Sequence, residues 1–152
     1  GLDRAGTSDL VEQLENRNGW VRDTAQRLLV ERGDLAAVPF LRELALSSDN
    51  HVGRVHALWT IHGLAAVDRE LVLELMDRAP PEVAIAAMRL AEPWLAAGDA
   101  AVIQGVEAAV LSRDNPAVRL QAALSVGEVR SAEAWRVLQR LVAHAQEPFM
   151  TD

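Results

Sequence analysis

The feature that most limits what this chain can fold into is a short motif that returns four times. "VRDTA" (21–25), "GRVHA" (53–57), "VAIAA" (83–87) and "VRLQA" (118–122) align on their final alanines, at intervals of roughly 30 to 35 residues. A turn signal precedes each: "RNG" at 17–19, "SSDN" at 47–50, "APP" at 79–81 and "RDNP" at 113–116. These residues favour turns and helix N-caps, so each motif opens a helix. On a helical wheel Val21, Ala25, Leu28 and Leu29 form a core stripe, and Asp23, Gln26 and Arg27 lie on the other side. Asp23 and Arg27 are also spaced as an i, i+4 ion pair.

Further helices fit between the motifs, over 8–16, 36–47, 68–78, 99–112 and 132–145, and no segment alternates as a strand would. Asp34, Asp68, Asp99 and Ser131 are placed as N-caps, and Gly33 and Gly98 stand where a left-handed helix stop is wanted. Pro81 suits a first helical turn. Pro39 belongs near a late helix start, and Pro93 breaks or kinks the third motif helix. Two helices per repeat, each pair too thin to bury its own apolar face, lead to an all-α fold: a right-handed α-solenoid of about four hairpins plus a trailing helix. The expected divisions are a linker at 1–7, a repeat domain at 8–145 (8–33, 34–66, 67–97, 98–130 and a partial 131–145), and the start of a further repeat at 146–152.

The 152 residues suffice for a substantial core. Half are hydrophobic, only 4% are aromatic, and all 15 basic residues are arginine, which reads as compositional bias before function. A net charge of −7 works against coating nucleic acid, whose binding relies on cations neutralising phosphates. With no cysteine there is no disulfide, thiolate nucleophile, Cys-ligated zinc or haem-attachment motif in these residues. Apolar runs stop well short of the roughly 18 residues of a membrane span, so direct membrane insertion is not expected.

"DNPAVRLQAALSVGEV" (114–129) resembles the second helix of a HEAT repeat. "NGWVRDTAQRLLVERGD" (18–34), "AVPFLRELA" (37–45), "RVHALWTIHGLAAVD" (54–68) and "MRLAEPWL" (88–95) resemble the HEAT segment of large multidomain proteins of planctomycete and verrucomicrobial bacteria. In those proteins, which are membrane-bound dehydrogenase-like, the segment typically lies between a propeller-type sugar or sorbosone dehydrogenase-like domain and a c-type cytochrome domain. The resemblance implies an extracytoplasmic parent with haem c in another domain. It assigns no cofactor to this segment.

Arg22, Arg54 and Arg119 recur at the second motif position, with Ala84 in the third copy. Each is expected to bond a carboxylate or carbonyl of a nearby turn, Asp49 and Asp114 being natural partners; an exposed anion-binding row is the alternative. His51, His56 and His62 are not spaced for a helical metal site, since the steps turn the helix by roughly 140° and 240°. Trp59, between Leu58 and Ile61, is expected in the core. Trp20 either packs on the preceding hairpin or contacts a neighbouring domain, and Trp20, Asp23, Gln26 and Arg27 are the candidate protein-contact residues. The expected role is a non-catalytic scaffold for interdomain or protein–protein contacts. Alternatives are a freestanding binding adaptor and an enzyme of nucleic-acid repair or cofactor attachment on a HEAT scaffold.

Overall fold

The structure, a computed structural model, describes residues 1–127 together with 136, 137, 139, 140 and 143. Among the described residues the regular elements are all helical: nine α-helices and two 3-10 turns. The trailing helix, Trp135, His144 and the expected start of a further repeat at 146–152 lie largely or wholly outside them. The chain divides into two compact units, 1–71 and 72–152, with the boundary inside helix α5 (Arg69–Arg78).

In the first unit, a 3-10 turn (Leu2–Arg4) leads to α1 (Thr7–Gln13), α2 (Gly19–Arg32), a second 3-10 turn (Leu35–Ala37), α3 (Val38–Ser47) and α4 (His51–Gly63). Helix α1 packs on α2, α3 on α4, and α2 on α4. Leu10, Leu14, Ala25, Leu29, Leu41, Ala57, Leu58 and Ile61 have no exposed surface and form the core between these helices. The second unit contains α6 (Pro81–Leu90), α7 (Glu92–Ala96), α8 (Ala100–Leu111) and α9 (Pro116–Gly127). Here α6 and α8 pack on α9 around Val83, Ala87, Met88, Val106, Val118 and Ala122.

Local chemistry sets the helix ends. Asn18, Asn50 and Asn115 stand three residues before the first, second and fourth motifs, and each side-chain oxygen caps a free backbone N–H. Pro80 holds the same position before the third, with Pro81 in the first turn. Asp34, Asp68 and Asp99 cap as expected, although Asp34 caps the short 3-10 turn rather than α3 itself. Gly33 and Gly98 adopt the left-handed conformation that ends a helix, with φ of 61° and 76°. Pro39 lies in the first turn of α3, and the third motif helix breaks at Ala91, where Pro93 opens α7. The four anchor alanines, Ala25, Ala57, Ala87 and Ala122, are all fully buried.

Candidate contact surface

Two of the recurrent arginines bond backbone carbonyls, in a turn and at a helix end, and the third pairs with a turn carboxylate. Arg22 Nη1 donates to the carbonyls of Asn16 and Arg17 at 2.7 and 3.2 Å, in the turn after α1, and leaves its Nε buried without a hydrogen-bond partner. Arg54, 9% exposed, donates from Nε to Ala45 O at 2.7 Å and from Nη2 to Leu46 O at 3.0 Å, joining α4 to the C-terminal carbonyls of α3. The expected Asp49 partner gives way to these carbonyls because helix-end oxygens are unpaired and carry the negative end of the helix dipole. Burial lowers the Arg54 pKa from its usual value. Arg119 pairs with Asp114 at 2.9 Å, as its spacing predicted.

In the third copy the arginine position is taken by Ala84, which has no exposed surface. The corresponding bond is made by Arg113, which follows α8: its Nη2 donates to Asp77 O at 2.5 Å and Ala79 O at 3.2 Å, at the end of α5. Arg113 lies outside the repeating phrase, so the motif spacing does not reveal it.

Helices α2 and α4 lie side by side and parallel. Gln26 meets His56 near the middle of the pair, and Val30 meets Gly63 toward its end. Gln26 Oε1 lies 2.8 Å from His56 Nδ1, so the imidazole donates from Nδ1 in that arrangement. Burial lowers the His56 pKa from 6.5; the Arg22 charge lowers it further, and Asp23 opposes both. Gln26 is therefore half-buried in the seam between the helices, whereas the wheel had placed it among solvent-facing positions. Asp23 and Arg27 are exposed as expected, but Arg27 pairs with Glu31 at 2.8 Å rather than with Asp23. The order Arg27-to-Glu31 still satisfies the i, i+4 spacing.

Trp20 is 69% exposed. With Val21, Thr24, Arg27 and Leu28 it lines a groove of about 520 Å³, closed on its other side by Leu2, Asp3, Gln13 and Asn16. Trp59 is only half-buried, not a core residue, and meets the exposed His62 edge-on with ring centroids 5.6 Å apart. Trp59 stands two places after its anchor alanine, and that position points away from the core in α2 as well, where it is Arg27. Trp20 and Val52, each five places before its anchor, are both exposed, with Val52 at 50%. Together these residues make an outward stripe along α2 and α4 that is partly apolar and carries Asp23 and Arg27.

In the second unit, Ser125 Oγ donates to Glu92 Oε1 at 2.9 Å and accepts from Gln121 Nε2 at 2.9 Å. This partner for Glu92 was not legible in the sequence. Ser125 has no exposed surface, and the chain of bonds ties α7 to α9 through its buried hydroxyl. Among the described residues, no cluster of three or more His, Cys, Asp or Glu side chains is arranged to hold a metal ion, and no helix is long and apolar enough to cross a membrane. Comparison with protein-family models, curated proteins and solved structures gives no match to this chain.

Proposed function

We propose that this chain is a HEAT-like, right-handed α-solenoid segment whose role is to hold and orient, presenting the outward stripe of its motif helices to a protein or to a neighbouring domain of the same polypeptide. The observation that carries the reading is the parallel pairing of α2 and α4 in one register: the anchor alanines turn inward while Trp20, Arg27, Val52 and Trp59 stay on the surface or half-buried. An exposed tryptophan beside an arginine is the composition of an interface anchor: the rigid indole buries a large area for little lost freedom, and the planar guanidinium adds oriented hydrogen-bond donors. The pairing of α6 with α9, whose outward positions Leu120 and Leu124 are 62% and 58% exposed, supports the same use of the second unit taken by itself.

The resemblance to segments of dehydrogenase and cytochrome c proteins supports, as part of this proposal, an extracytoplasmic parent whose haem is held in another domain. The test is a photo-crosslinking amino acid installed at position 20 or 27 in the natural polypeptide, with position 104 on α8 as control. Crosslinks from 20 and 27 to a defined protein surface, absent from 104, are expected. A bond within the same polypeptide supports the interdomain scaffold, and one to a separate protein supports the freestanding adaptor. Equal labelling at all three positions overturns the contact surface.

A further inference from the structure

A second surface, on different helices from the outward stripe, is formed by α1 and α3. These two helices make far less contact with each other than either makes with its own hairpin partner, and the space between them is a shallow groove of about 320 Å³. Its floor is apolar: Val11 and Leu44 are almost fully buried, and Phe40 stands half out of the surface at 50% exposure. Its walls are acidic. Glu12 and Glu15 come from α1 and the turn after it, and Glu43 from α3; all three are exposed. Glu15 accepts a hydrogen bond from Ser48. Neither Glu12 nor Glu43 forms an ion pair among the described residues, whereas Glu31 and Asp68 in the same unit pair with Arg27 and Arg42.

We propose that this groove is a docking site for a basic, amphipathic segment of a partner protein, in which an apolar side chain is flanked by arginine or lysine. The apolar residue covers Phe40 and enters between Val11 and Leu44, and the flanking cations meet Glu12 and Glu43. Like charges facing each other across a groove repel, and a cationic occupant relieves that repulsion while its apolar residue takes Phe40 out of water. The volume lies at the small end of the range of ligand sites, roughly 300 Å³, which suits one or two side chains of a peptide and not a larger cofactor. An acidic peptide is rejected by the same walls. The site is independent of the outward stripe, so either surface can fail its test without bearing on the other.

The experiment uses the full chain and a short fluorescent peptide of repeating Arg-Leu-Ala-Arg, read by anisotropy and by mapping of backbone chemical-shift changes. The expected result is saturable binding that weakens with added salt, with shifts confined to α1 and α3. The double substitution Glu12→Gln/Glu43→Gln is expected to weaken it about tenfold, and Phe40→Ala about fivefold. Both glutamates and Phe40 are exposed, so folding is preserved and far-ultraviolet circular dichroism checks it. Glu70→Gln/Glu74→Gln, on α5, removes the same charge elsewhere. Equal weakening by both double variants shows general charge attraction and overturns the site, as do shifts spread over the surface or binding of a peptide with glutamate in place of arginine.

Discussion

Gly63 of α4 sits directly against Val30 of α2: a Cβ added at Gly63 would lie 2.6 Å from Val30 Cγ2 and 3.1 Å from its Cγ1. The valine is β-branched and stiff at χ1, so it cannot swing clear. Gly63→Ala is therefore expected to destabilise by about 1–3 kcal/mol through overpacking, although alanine is the better helix former. Val30→Ala removes both offending methyls. In that background the Gly63→Ala penalty disappears, and urea denaturation of the four-member cycle measures the coupling; a penalty that persists shows the glycine is needed for another reason.

Arg54 joins two helices through two charged hydrogen bonds while almost wholly buried. Arg54→Met keeps the stem but strips both donors from the α3 carbonyls, and the expected loss is about 3 kcal/mol. Arg54→Lys restores the charge without the planar fork and recovers only part of that loss. Equal stability of all three proteins would show that water replaces the guanidinium.

Arg113 substitutes for the arginine missing at Ala84. Arg113→Ala is expected to cost about 1–3 kcal/mol and to speed amide hydrogen exchange in the last turn of α5, whose carbonyls at Asp77 and Ala79 lose their donor. An unchanged exchange rate there would remove Arg113 from the fastening of α5.

The His56 pKa is lowered by burial first and then by the Arg22 charge, despite Asp23. A base with a folded pKa below its unfolded value of 6.5 leaves the unfolded state binding more protons. Its stability contribution is complete above pH 6.5 and is lost as the pH falls from there through the folded pKa. Denaturation midpoints between about pH 7.5 and 5 should fall, and His56→Gln should flatten that segment of the curve. An identical slope in the variant assigns the dependence to other groups.

Much of the local structure was legible beforehand. Asn18, Asn50 and Asn115 cap where turn residues were expected, Gly33 and Gly98 end their helices, and Pro93 breaks the third motif helix. These outcomes depend on hydrogen bonds and backbone angles within a few residues of each other, and such chemistry is written locally. The candidate contact residues were legible only in part. Asp23 and Arg27 project outward because the helical period fixes their direction, and Trp20 proved exposed. Gln26 leaves the helix about 60° from Asp23 and about 100° from Arg27, at the edge of the outward face, and it ends in a seam because α4 brings His56 to within 2.8 Å of it.

The sequence by itself determined that the described residues are helical and where most of those helices begin and end. Tertiary structure alone decided that Arg113 fastens α5, that Ser125 holds Glu92, that Trp59 stays half in solvent, and that α1 and α3 leave a groove lined by Glu12, Glu43 and Phe40. The physical reason is the same in each case. Periodicity fixes the angle at which a side chain leaves its own helix, but burial and partnership depend on how near a second helix comes, and that distance is set by packing of residues far apart in the chain.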